Sequence, residues 1–212
     1  MRMNTPGWLI PAGLIALSLV PVLSAGPRLI EVAGDPVVTP DNARYLVWPP
    51  AIFLHAIGGA LFLILGALQF APGRRGRWHR VAGRIVVAAG LVAALSGIWM
   101  TLTFPAEPAN GPLIYAARLL TGPAWALCLI LGLRAAMGRR ITAHHIWMRR
   151  AMALGLGGGT TVLILGPWVL ATGSFTPTAS ALAQIAAWAI NLTVAEYFNH
   201  APRRHVQKGA AA

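Results

Sequence analysis

The sequence predicts an all-α protein, a polytopic transmembrane bundle of six spanning helices with both termini in the cytoplasm. Three observations carry that expectation. Only 10% of the 212 residues are charged and 57% are hydrophobic, whereas a soluble domain has about 25% charged residues. Six runs approach the roughly 20 mostly apolar residues that an α-helix needs to cross a bilayer. The arginines sit between those runs and favour one side, as the positive-inside rule requires.

The runs fall near 8–25, 51–71, 83–104, 113–136, 149–171 and 177–198, each bounded by Pro, Gly or charge. The first follows Arg2 and ends in "VLSAG", which looks like a signal peptide. Leu23 would then occupy a position that prefers a small residue, and Pro11 and Pro21 interrupt the run, so an uncleaved helix is expected. Pro49-Pro50 opens the second span and Pro72-Gly73 closes it. The third begins after "GRRGRWHRVAGR", the fourth after Gly111-Pro112, the fifth after "TAHHIWMRR", and Pro177 opens the sixth. The segment 26–50 is short and Pro-rich, so the chain reads as one membrane domain with no soluble module.

The net charge of +12 comes from seventeen Lys+Arg against five Asp+Glu. In a soluble chain that balance would suggest nucleic acid. Here Arg74, Arg75, Arg77, Arg80 and Arg84 lie in one hairpin between spans, and Arg134, Arg139, Arg140, Arg149 and Arg150 lie in another. With Arg2, Arg203, Arg204 and Lys208 they define one cytoplasmic face meeting anionic lipid headgroups. Nucleic acid is excluded as a partner because the basic run "GRRGRWHRVAGR" is flanked on both sides by spans. Arg28, Arg44 and Arg118 fall toward the other side, with Glu31, Asp35, Asp41 and Glu107. Cys128 stands alone, so neither a disulfide nor a thiolate metal site can be built, and no metal site is expected. No nucleophilic triad or phosphate-binding loop is recognisable.

Several helical faces carry small or polar residues. In span two, His55, Gly59, Phe62, Gly66 and Gln69 share one face. Gly83, Gly90 and Gly97 form a seven-residue stripe in span three, which reads as a packing seam. Span four aligns Tyr115, Arg118, Gly122, Trp125 and Gly132, and span six aligns Gln184, Trp188 and Asn191. Glu196, near the end of span six, is expected to reach the interface or to pair with a cytoplasmic arginine rather than to relay protons. "GLGGGTT", Gly155 to Thr161, points glycines in several directions and predicts a thin or loosened segment beside a partner, a cavity or a ligand.

A b-type haem needs two axial nitrogens from facing helices, apolar walls and room for the ring. His79 with His144 or His145 supplies such a pair near the cytoplasmic surface. His55 lies toward the opposite side, where Met100 is the nearest conceivable sulfur partner. His200 and His205 fall in the tail. Interfacial hydrogen bonding beside lipid headgroups also accounts for these histidines. The competing functional expectation is a small transporter or channel with a polar face of His55, Gln69, Arg118, Gln184 and Asn191, the Gly157–Gly159 segment providing a break. A structural or lipid-interacting role is the third.

Three blocks, "HAIGGALFLILGALQF", "RWHRVAGRIVVAAGLVAALSGIWM" and "HHIWMRRAMAL", carry a joint pattern. It reads His-x-x-Gly-Gly, Gln-Phe, His-Arg-x-x-Gly-Arg and His-x-x-Trp-Met-x-Arg. Over about residues 50–170 it resembles a bacterial family of multi-pass membrane proteins of unknown function. The resemblance maps the motif positions onto His55, Gln69, His79, Arg80, Gly83, Arg84, His144, Trp147, Met148 and Arg150. It implies a bacterial inner-membrane location and no assigned activity. The helix-end histidines also look like those of b-type membrane cytochromes, a fold-level likeness only. The leading expectation is therefore a membrane redox module that binds haem b or quinone at the cytoplasmic side.

Overall fold

A computed structural model describes residues 7–73, 76–105 and 111–201. Its elements are α1 (Leu9–Ala33), α2 (Ala43–Leu46), α3 (Pro49–Gln69), α4 (Arg77–Thr103), α5 (Pro112–Met137), α6 (Ile141–Gly155), α7 (Gly157–Thr172) and α8 (Pro177–His200). Among the described residues there is no strand. Five helices are long and apolar enough to cross a membrane, and α6 with α7, bent by 41° at Leu156, makes a sixth if the pair is one broken span. The outer surface is apolar: Leu170 and Leu120 are 88% and 74% exposed. That is what a lipid-facing surface requires and what a water-facing one would avoid. The multi-pass membrane bundle is thereby shown. Arg2, Arg74, Arg75, Glu107, Arg203, Arg204, His205 and Lys208 lie outside the described residues.

Several boundaries differ from those expected. α1 runs to Ala33 rather than stopping near residue 25. Arg28 donates to Glu31 at 2.6 Å, and the Asn42 amide reaches the same carboxylate at 2.8 Å, so the last turns are pinned to the following loop. α4 starts at Arg77 and α6 at Ile141, placing His79, His144 and His145 on helices, not before them. Hydropathy marks only the part of a helix that meets hydrocarbon. These helices continue into the polar interface, where arginines extend their stems. Between α3 and α4 the chain turns through Gly73 and Gly76, both at positive φ, a conformation with little penalty only for glycine.

The α3–α4 hairpin shows why the stripes are where they are. His55, Phe62 and Gln69 of α3 face Gly97, Gly90 and Gly83 of α4 in antiparallel order. A Cβ at Gly97 would lie 3.0 Å from the His55 ring, one at Gly90 2.7 Å from Phe62, and one at Gly83 3.8 Å from Gln69. Conversely, Gly58 sits against the backbone of Ala89. The seam expected from spacing is real, and each wide side chain has a glycine opposite it. Phe62, Val86, Leu129 and Met152 form the buried centre, so α3, α4, α5 and α6 meet around one core. Outside it, α1 packs on α3 and α7, and α8 packs on α6 and α7.

The glycine run proves to be a break. The expected single helix over 149–171 is two, divided at Leu156. Gly155 faces Phe62 and Trp125, Gly157 faces Trp188 of α8, and Gly159 faces the Leu17 carbonyl of α1. Each glycine therefore admits a different neighbour. The end of a helix leaves carbonyls without backbone partners. Here side chains of α8 take them, Asn191 Nδ2 donating to Ala153 at 3.1 Å and Trp188 Nε1 donating to Leu154 at 3.2 Å. Thr160 Oγ1 donates to Asn191 Oδ1 at 3.0 Å and ties α7 into the same junction.

Candidate functional site

The arginine-rich ends of α3, α4, α5 and α6 enclose a cavity of about 950 Å³. The first turn of α4 contributes His79 and Arg80, and the next turn adds Gly83 and Arg84. α3 contributes Gln69 from its last turn. α6 contributes His144, His145, Met148 and Arg149, while Phe62, Val86, Val87, Leu133 and Met152 supply apolar walls. The sequence pair His79 and His144 is thus brought to one cavity, joined by Gln69.

The imidazole of His144 is held by α5. Its Nδ1 lies 2.9 Å from the Gly132 carbonyl. A carbonyl only accepts, so Nδ1 carries a proton, and in the neutral ring that leaves Nε2 with the lone pair, the arrangement found when a protein presents a histidine as a ligand. Gly132 also leaves room for Met148, whose sulfur would be 2.7 Å from a Cβ there. The His145 ring lies 5.7 Å from that of His144. Three other polar atoms at this cavity's residues are buried without a hydrogen-bond partner: His79 Nδ1 and both amide atoms of Gln69. An unsatisfied buried polar group costs about 1–3 kcal/mol, so such a cluster calls for a polar partner.

The cations divide between the cavity and its rim. Arg80, Arg84 and Arg149 line it, and Arg149 also donates to the Phe198 carbonyl and Asn199 Oδ1. Arg150 turns toward α8, where its Nε and Nη2 donate to the two Glu196 oxygens at 2.5 and 3.0 Å. Its guanidinium sits 4.7 Å from the centre of the Trp147 ring. Of the motif residues, Arg150 ties α6 to α8 with Trp147 beneath its guanidinium, whereas His79, Arg80, Gly83, Arg84, His144 and Met148 line the cavity.

The polar face expected to unite His55, Gln69, Arg118, Gln184 and Asn191 is divided. His55, Arg118 and Gln184 share a second cavity of about 450 Å³ at the opposite end, together with Met100, Trp125 and Trp188. Gln69 belongs to the first cavity because fourteen residues of α3 separate it from His55, about 21 Å of helix. Asn191 serves the break in the fifth span. His55 Nδ1 lies 2.8 Å from the Ala93 carbonyl of α4, so its tautomer is fixed as that of His144 is. Neither carbonyl partner, Gly132 nor Ala93, was identifiable from the chain; each lies opposite its histidine across a glycine-bearing seam, and that is the one signal that pointed there.

A family model described as predicted membrane protein, DUF2306, matches residues 52–199. The match extends beyond the blocks quoted above and takes in α8 with Asn191 and Glu196. No curated protein and no solved structure matches the chain. Since the model spans from α3 to the end of α8, the chain belongs to the DUF2306 family of membrane proteins, whose function is unknown.

Proposed function

We propose that this protein is a membrane redox module that binds haem b in the arginine-rich cavity, where His79 and His144 would hold it. One observation carries the reading. Two histidines from different helices share a cavity of about 950 Å³, and His144 has its Nε2 lone pair left for a ligand by the bond to Gly132. The residues present fit the group. Phe62, Val86, Val87 and Leu133 offer the apolar walls that a macrocycle needs, and Arg80 and Arg84 match propionates at the polar boundary. When bound, haem would supply one-electron transfer. The chain's own part is to fix the imidazoles, shield the ring and neutralise its carboxylates. Quinone is the second reading, favoured by the Gln69 amide, which is buried without a partner at the same cavity and suits a quinone carbonyl.

By the positive-inside rule this cavity faces the cytoplasm of a bacterial inner membrane, beside anionic headgroups. The test is the absorption spectrum of protein purified in detergent from a haem-replete host. A Soret band is expected, lost in His79→Ala and in His144→Ala and retained in His55→Ala, whose ring lies in the other cavity. A colourless wild-type protein would rule out haem, and quinone carried through purification would then be sought in its organic extract.

A further inference from the structure

We infer that the second cavity, at the arginine-poor end, binds a planar aromatic hydroxyl compound, a hydroquinone or simple phenol, through His55. The inference does not depend on haem at the other end. Its first support is the fixed tautomer. The Ala93 carbonyl accepts from Nδ1 at 2.8 Å, so the neutral ring has Nε2 as a hydrogen-bond acceptor. Its second support is location. His55 borders a cavity of about 450 Å³, within the volume of small-molecule sites generally.

The walls favour a flat ring. Trp125 and Trp188 offer indole surfaces, and Gly59 has open space where a Cβ would stand. A glycine lining the same cavity as two indoles leaves room that a larger side chain would narrow. Three further helices bring polar side chains to the cavity: α5 with Arg118, α8 with Gln184, and α1 with Arg28, whose guanidinium is also paired with Glu31. No Asp or Glu lines this cavity among the described residues. His55 Nε2 is thus the strong acceptor identified there, while guanidinium and amide groups supply donors. A ligand that both donates and accepts through ring oxygens satisfies that set. A carboxylate would find donors but leave the imidazole lone pair facing another lone pair, and a wholly apolar ligand would satisfy neither.

The arrangement also explains why the ring is gripped closely. A Cβ at Gly97 would lie 3.0 Å from His55 Cε1 and 3.1 Å from Nδ1, so α4 packs closely against that edge of the imidazole. His55 opens the family pattern read from the sequence, yet the proposed haem site makes no use of it.

The test is calorimetric titration of the protein in phosphatidylcholine nanodiscs with a short-alkyl hydroquinone and with its dimethyl ether. The ether keeps the ring and oxygens but cannot donate. Saturable hydroquinone binding is expected, with the ether at least about tenfold weaker, the value of one hydrogen bond to a buried acceptor. His55→Ala should weaken the hydroquinone by a similar factor and leave the ether unchanged. His55→Gln, which keeps an acceptor, should recover part of the loss. Titration of haem-free His144→Ala protein should match the wild type, so this inference and the haem reading fail separately. Equal binding of hydroquinone and ether, or an unaltered affinity in His55→Ala, overturns the inference.

Discussion

Glu196 and Arg150 show what a single residue contributes here. The carboxylate is held by two guanidinium nitrogens at 2.5 and 3.0 Å, and the cation also lies over Trp147. Both side chains keep about a third of their surface, 29% and 33%, so screening limits the pair. A coupling of about 0.5–1 kcal/mol is expected for such a partly exposed pair, with about 0.5–1 kcal/mol more from the indole face. Arg150→Lys retains the charge and loses the fork and the stacking, so it should cost about 1 kcal/mol in detergent unfolding. Glu196→Gln should cost less in the Arg150→Lys background than alone, and strictly additive losses would show that the pair is not coupled. That Glu196 pairs with a cation was legible, because a carboxylate near hydrocarbon needs one and arginines crowd that end. Which arginine was not. Arg149 and Arg150 are neighbours in sequence, and only the helical rotation of α6 against α8 sends one to Asn199 and the other to Glu196.

Elements in this fold are matched by size across seams. The α3 face with His55, Phe62 and Gln69 reads correctly from spacing, and so does the α4 glycine stripe, because both follow helical periodicity. Their mutual register does not follow from periodicity, since sliding one helix by a turn would leave each pattern intact. The register is decided by bulk: Phe62 fills the space above Gly90, where a Cβ would also meet Leu129 at 2.9 Å. Gly90→Ala should therefore overpack the hairpin and cost about 1–3 kcal/mol in unfolding free energy. Phe62→Leu alone should also destabilise, by loss of buried ring contacts. Combined, the two should cost less than their sum, because the smaller side chain vacates room for the new methyl. The glycine run of the fifth span was legible as the place for a break, but the neighbours it admits were not. Its outcome depends on partners from three helices, Phe62, Trp188 and Leu17, that local sequence does not name.

For the whole molecule, composition decided the most. A charge content of 10% excludes a water-facing surface, and six apolar runs account for every long helix, including the bent pair. What composition could not divide was the polar interior. It offered one polar face, whereas the bundle has a cavity at each end, parted by Phe62 and Trp125, whose rings meet edge to face at 5.1 Å. Orientation across the membrane rests on charge. The hairpins joining α3 to α4 and α5 to α6 carry the arginines, while the α7–α8 loop, Gly173 to Thr176, carries none. Moving several arginines across a hydrocarbon core is strongly opposed, so the two kinds of loop should lie on opposite sides. Alkaline phosphatase, active only outside the cytoplasm, reports this when fused after a chosen residue in a bacterial host. Fusion after Gly138 should be inactive and fusion after Gly173 active. Replacing the reporter with green fluorescent protein should reverse the pattern, with fluorescence from the Gly138 fusion alone. The opposite result for both reporters would invert the molecule and place the His79–His144 cavity outside. Equal phosphatase activity at both sites would mean that α6 and α7 do not together form one crossing.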